Sequence, residues 1–151
     1  MFNLQNGDFS ELTLSQLLIP SERVAHVQIG NNLEHALLVL TKSGYTAIPV
    51  LDPVYKLHGL ISTTIIMDAI LGLERIEFEK LEKIKVEEIM LRDIPRLKSE
   101  SSLKTSLLLL VDHPFLCVED EKGFFEGILT RRAILKQLNK QLHRKNKTES
   151  S

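Results

Sequence analysis

One motif is written twice in this chain. Ala47-Ile48-Pro49-Val50-Leu51-Asp52 leads through Gly59-Leu60-Ile61-Ser62-Thr63-Thr64 into an apolar-faced segment, and Phe115-Leu116-Cys117-Val118-Glu119-Asp120 leads through Gly127-Ile128-Leu129-Thr130-Arg131-Arg132 into another. The offset is constant, since 127 minus 59 and 120 minus 52 both give 68. Repetition at a fixed offset marks one structural unit used twice. Each copy reads as strand, turn, strand, helix, preceded by a shorter strand and a helix. One copy is too small to bury much core alone, so the pattern predicts an α+β fold of two repeats packed through their sheets, with helices covering a sheet face. The expected boundaries are 14–72 for the first repeat, 73–85 for a connecting arm, 86–139 for the second repeat and 140–151 for a basic polar tail.

Residues 1–13 read as a loose lead. Leu14, Leu17 and Leu18 recur at helical spacing, with Pro20 ending the element. Arg23-Val24-Ala25-His26-Val27 reads as a short extended piece. Asn31 reads as a helix cap with Glu34 returning the bond, Leu33, Ala36, Leu37 and Leu40 form the apolar face, and Gly44 is the stop. The strand Tyr45 to Leu51 contains Pro49, which predicts an edge position or irregular pairing. Asp52-Pro53 and Lys56 to Gly59 bracket a hairpin loop, and Ser62 caps the next helix. From Gly72 to Glu88, six glutamates among scattered apolar residues predict a helical arm with a solvated face. Ile89-Met90 opens the second repeat as Leu17-Leu18 opens the first, Ile94 to Leu97 replaces the Arg23 to Val27 piece, and Ser101 or Ser102 caps the following helix. The last helix is expected over Arg131 to Leu138.

Composition removes several function classes. With 19 basic against 20 acidic residues, no whole-surface attraction to nucleic acid is expected. The lone Cys117 excludes an intramolecular disulfide and the cysteine-rich zinc patterns. No apolar run approaches a membrane span and no secretory signal is visible, so the cytoplasm is the expected compartment. The five histidines lack metal-ligand spacing, and Ser62 and Thr130 lack the nucleophile elbow and a base. Asp52 and Asp120 end strands at turn positions, which suits turn formation. No catalytic residue, metal site or cofactor is therefore expected, and the chain does not read as an enzyme.

Binding candidates remain. Ser62 and Thr130 each precede a helix, where plain capping and an anion or ribose contact are both open readings. Arg131-Arg132 places two cations in a first helical turn, against the dipole preference. A bound anion would reverse that penalty. Arg23 and Arg96, in or before the short strands, add candidate charge. Tyr45 can stack on a base while neighbouring backbone groups read its edge, and Ala25 leaves room for a close approach.

The repeated Gly-x-x-Ser/Thr motif (Gly59 to Ser62, Gly127 to Thr130) and the strand Ile48-Pro49-Val50 resemble the cystathionine-beta-synthase (CBS) domain family. That resemblance, over about residues 14–139, implies a tandem CBS pair, or Bateman module, binding adenosine nucleotides in clefts between repeats. The family's ribose-binding acid three positions after Ser/Thr is replaced by Ile65 and Ala133, which ranks AMP and ATP behind another ligand. Cys117 stands where the first copy has Pro49, so the resemblance implies unequal clefts. Arg23 to Val27, Ser43 to Ala47 and Thr130-Arg131-Arg132 further resemble the cyclic-di-AMP-binding CBS proteins of Gram-positive bacteria. This implies a homodimeric cytoplasmic receptor that controls partners, among them a stringent-response synthetase/hydrolase and pyruvate carboxylase. Ala25, Tyr45, Thr46 and Ala47 would then surround adenine, Arg23, Arg131 and Arg132 would meet phosphate, and Ser62 and Thr130 would add hydroxyls. The alternatives are an AMP- or ATP-sensing module and a ligand-independent structural dimer.

Overall fold

The structure, a computed structural model, describes residues 13–149. The expected lead over residues 1–12 lies outside them. The described chain forms two compact units. A middle unit holds residues 23–94 and 121–125, and a terminal unit holds the described parts of 1–22, 95–120 and 126–151.

The middle unit contains a three-stranded sheet of order β2-β3-β4, where β2 is Val27–Gln28, β3 is Ala47–Leu51 and β4 is Leu57–Ser62. Helices α2 (Leu33–Ser43), α3 (Thr63–Ile70), α4 (Lys80–Lys83) and α5 (Val86–Ile89) belong to it. Alternation along β4 buries Leu57, Gly59 and Ile61, and the core gathers Val27, Leu33, Leu40, Ile48, Ile66 and Val86. The amphipathic face of α2 follows the sequence pattern, with Leu33, Ala36 and Leu40 buried. Its cap is Asn32, whose side chain accepts from the His35 N–H at 2.9 Å. Asn31, the residue expected to cap, instead accepts from the Gln28 N–H at 2.8 Å and shapes the turn before the helix. Gly44 closes α2 in the left-handed region at φ 78°, as a C-terminal glycine does.

The terminal unit contains a sheet of order β1-β7-β6-β5, from Ile19–Pro20 (β1), Arg96–Lys98 (β5), Phe115–Glu119 (β6) and Phe125–Thr130 (β7). Its helices are α1 (Leu14–Leu17), α6 (Leu103–Leu110) and α7 (Arg131–Glu149). Leu14, Leu17, Leu97, Leu110, Leu116, Leu129 and Ile134 share its core. Ser102 caps α6, accepting from the Thr105 N–H at 3.1 Å, while Ser101 accepts from Lys98.

The units do not coincide with the sequence repeats. α1 precedes the first repeat's sheet yet buries Leu14 and Leu17 in the terminal core, and α5 opens the second repeat yet buries Val86 in the middle core. Two glycines record the same exchange. β1 runs antiparallel to β7 with Ile19 beside Ile128, and Leu91 forms an antiparallel bridge to Leu60. A Cβ on Gly127 would stand 2.1 Å from the Ile19 carbonyl oxygen, and one on Gly59 would stand 2.6 Å from that of Leu91. The first position of the Gly-x-x-Ser/Thr motif is glycine because a crossing backbone passes over it.

Several local expectations are corrected. Pro20 lies in β1 after a helix that already ends at Leu17, and Arg23 closes a 3-10 turn (Ser21–Arg23), so extended structure begins only at Val27. The strand expected from Tyr45 starts at Ala47. β3 is central, not an edge. β2 reaches only Val50 and Leu51, so Pro49 has a strand partner, Leu60, on one side only, and the pairing irregularity falls between Val50 and Leu51. The arm begins with bends and a turn and then forms α4, which the extended pair Ile84-Lys85 separates from α5; Gly72 and the Leu71–Ile76 bridge interrupt any continuous helix. Helix α7 continues to Glu149, past the expected end at Leu138 and into the segment expected as a basic polar tail.

Candidate functional site

In the middle unit, β2 runs parallel to β3 with Val27 beside Val50, and β4 returns antiparallel with Ser62 beside Ala47. The starts of β2 and β3, the end of β4 and the N-terminus of α3 therefore gather at one end of the sheet. Arg23 and Ala25 lie on the chain entering β2, Tyr45 and Thr46 on the chain entering β3, and Ala47 and Ser62 face each other across the hairpin. The Thr46 carbonyl accepts from the Thr63 N–H at 3.1 Å, which fixes the approach to β3 against the first turn of α3. Tyr45 is 37% exposed and Ala47 half-buried. Arg23 is exposed, and its guanidinium makes no hydrogen bond or ion pair with the described residues.

Ser62 is a cap in fact, with its Oγ accepting from the Ile65 N–H at 3.1 Å. Capping uses the oxygen as acceptor and leaves the hydroxyl proton for a ligand, so the two readings of this residue are compatible. Ile65, three positions after Ser62, packs against the apolar core.

The terminal unit repeats this frame. The Arg131 N–H donates to the Pro114 carbonyl at 3.2 Å, the counterpart of Thr63 on Thr46, and Thr130 Oγ1 accepts from the Ala133 N–H at 3.0 Å. The two adjacent arginines then separate in role. Arg131 Nε donates to the Leu110 carbonyl and its Nη2 to that of Val111 at 2.8 Å, so this cation sits on the negative end of α6. Arg132 is exposed and makes no hydrogen bond or ion pair among the described residues.

Sheet register shows how far the two frames differ. Leu97 stands beside Val118 as Val27 stands beside Val50, so β5 follows β2 at an offset of 70 (97 minus 27). Asp93 then corresponds to Arg23, Pro95 to Ala25, His113 to Tyr45 and Phe115 to Ala47. Acid replaces base, and bulk replaces the two alanines. Arg96, grouped with Arg23 on sequence grounds, corresponds to His26. It pairs with Glu119 at 3.4 Å, while Lys98 Nζ reaches the same buried carboxylate at 2.9 Å and the Asp120 carbonyl at 3.1 Å. This network escaped the sequence because only the β5–β6 register brings Lys98 beside Glu119. Cys117 lies in the same strand, and burial pushes its thiol up to about 12, with Arg96 pulling the other way.

At the opposite end of the middle sheet, Asp52 shapes the hairpin turn. Its Oδ1 accepts from the N–H groups of Val54 and Lys56, and Oδ2 lies 2.9 Å from His58 Nε2. The His58 contact, followed by the Lys56 N–H, holds the Asp52 carboxyl below its usual range. Among the described residues no three histidine, cysteine or acidic side chains gather as metal ligands, and no helix is long and apolar enough to cross a membrane.

The CBS-domain family pattern matches residues 14–72 and 86–140. The chain belongs to the CBS-domain family. It is 57% identical over 147 residues to the cyclic di-AMP receptor B of Bacillus subtilis, covering 97% of this chain and all of that one. A conserved hypothetical protein of Geobacillus kaustophilus is similar in structure, at 66% identity and a TM-score of 0.83, over 86% of this chain and 98% of that one. The CbpB protein of Listeria monocytogenes in complex with c-di-AMP is 60% identical with a TM-score of 0.81, over 86% and 97% of the two chains. The chain is thus a near-full-length homologue of a cyclic di-AMP receptor, built on two CBS repeats.

Proposed function

We propose that this chain is a non-enzymatic, cytoplasmic cyclic-di-AMP receptor that acts as a homodimer and whose ligand state controls binding to partner proteins. The observation that carries the reading is the 57% identity to cyclic di-AMP receptor B across essentially both chains. The local chemistry supports it. In the middle unit, Tyr45 offers an exposed ring for stacking, Thr46 and Ala47 offer a small-residue backbone edge, Ala25 leaves space, and Arg23 and Ser62 offer an unpaired cation and a hydroxyl. In the terminal unit, the capped start of α7 offers Thr130 and the unpaired Arg132 for phosphate, with Arg131 holding that helix start against α6. Ile65 and Ala133 withhold the carboxylate that would favour the ribose of AMP or ATP.

The proposed switch is a linkage effect. A dianionic ligand neutralises the unpaired arginines, and a partner that uses the same positive rim binds less well in proportion. The stringent-response synthetase/hydrolase and pyruvate carboxylase are the proposed partners. Calorimetry on the purified protein with cyclic di-AMP, AMP and ATP tests the reading. Cyclic di-AMP is expected to bind about tenfold or more tightly than either mononucleotide, and equal or tighter binding of AMP or ATP would overturn it.

A further inference from the structure

Charge is distributed very unevenly in this nearly neutral chain. Helix α7 (Arg131–Glu149) contains seven of the 19 basic residues and one of the 20 acidic ones. The helix is therefore net +6, and the remainder, with 12 basic against 19 acidic residues, is net −7. Such segregation within a balanced total points to a dedicated electrostatic face.

The described side chains show where that face lies. Ile134 is buried and Leu138 packs against the terminal core, so this side of α7 is occupied by the fold. Arg132, Lys136 and Lys140 recur at four-residue steps and are all exposed, with exposed His143 next along the helix. Residues three and four apart are neighbours on a helix surface, so these form one stripe of about 16 Å from Arg132 to His143. Arg132, Lys136 and Lys140 make no hydrogen bond or ion pair with the described residues. Exposed Leu142 flanks the stripe, 45% accessible.

We infer that this face of α7 is a docking surface for an acidic helical segment of a partner protein that carries an apolar residue beside its carboxylates. The size and charge of the stripe fit such a segment. A long nucleic acid would extend beyond one helix face onto a body of net −7, and the stripe has no Phe, Tyr or Trp on which bases stack. An anionic bilayer would meet the same repulsion, and with Ile134 and Leu138 turned into the core only Leu135 and Leu142 are left exposed on α7, too little apolar surface to seat it in a bilayer. A protein segment confined to the stripe avoids both penalties, and Leu142 gives it an apolar contact. The surface shares Arg132 with the cyclic-di-AMP reading, whereas Lys136 and Lys140 belong to neither candidate ligand set and extend it beyond that residue.

The test uses the full chain and a fluorescein-labelled peptide of about 18 residues with glutamates and leucines in helical register. Its controls are a scrambled peptide of the same composition, a single-stranded oligonucleotide of equal charge and phosphatidylserine vesicles. The ordered peptide is expected to bind roughly fivefold or more tightly than its scramble and to weaken steeply as salt rises from about 50 to about 300 mM. The double substitution Lys136→Glu/Lys140→Glu is expected to weaken it roughly tenfold or more, with an unchanged melting midpoint showing that the fold is kept. Equal binding of ordered and scrambled peptides, an unaffected double variant, or tighter binding of oligonucleotide or vesicles overturns the assignment. Calorimetry with cyclic di-AMP on the same variant separates the two ideas, because loss of the receptor reading leaves the peptide result intact.

Discussion

The middle and terminal units hold the same frame with different occupants. Each has a glycine under a crossing backbone, a hydroxyl cap at the helix start and a backbone N–H from the first helical turn to the chain entering the hairpin. Against that shared frame, the middle unit sets Arg23, Ala25, Tyr45 and Ala47 where the terminal unit sets Asp93, Pro95, His113 and Phe115. Glu119 also replaces Leu51 at the inner end of the hairpin, bringing Arg96 and Lys98 with it. Duplication has kept what closes the backbone and changed the side chains around it. The middle unit keeps an exposed cation and two small residues at one end of its sheet, and the terminal unit keeps an exposed arginine, Arg132, at its helix start.

The glycines give the sharpest way to break the comparison. Gly127→Ala should cost about 3 kcal/mol or more, because the new Cβ meets backbone and the residue has a φ of 151°. Gly59→Ala should cost about 2 kcal/mol, as its contact at 2.6 Å is less severe and its φ is ordinary. Urea unfolding of the two variants measures both, and a Gly59 variant less stable than the Gly127 one would mean that the crossings are not equivalent. The arginine pair comes next. Arg132→Ala should weaken cyclic di-AMP by roughly tenfold with little change in melting, consistent with a lost charged hydrogen bond. Arg131→Ala should lower stability by about 1 kcal/mol through the freed α6 carbonyls. An inverted result would exchange their roles.

The smallest effect is a pH dependence. The folded-state pKa of Asp52 is depressed, so its contribution is present above the unfolded value of about 4 and is lost as pH falls through the folded value. Melting midpoints of the protein and of Asp52→Asn should therefore converge in acid, and a constant gap between them from neutral pH down would show that the His58 contact does not set the turn's stability.

Periodicity, capping residues and the 68-residue offset made the repeat, the hairpins and most helices legible, because those signals are local. The exchange of α1 and α5 was not legible, since Leu17 and Met90 look alike in sequence and nothing near them says which sheet they cover. Nor was the division between Arg131 and Arg132. Adjacent identical side chains point about 100° apart on a helix, and only the position of the α6 carbonyls decides which one is tied down. Pro49 pointed to an edge or to irregular pairing, and only the second is found, because a central strand tolerates proline when its neighbour is two residues long. The hairpin brings Tyr45 to Ala47 and Ser62 to one end of the sheet, whereas the grouping of Ala25 and Tyr45 to Ala47 around an adenine rests on the family resemblance.

The exchanged segments also set an order of assembly. The middle core runs from Val27 to Met90, a separation of 63 residues, whereas the terminal core joins Leu14 to Ile134, a separation of 120. On a chain emerging from the ribosome, the middle unit has nearly all its apolar partners long before the terminal unit has its last strand and helix. Loop closure over 120 residues waits for almost complete synthesis. Leu14 and Leu17 must therefore stay uncovered through most of translation, so a chain stalled before β7 would combine a formed middle unit with an apolar leading segment open to chaperones.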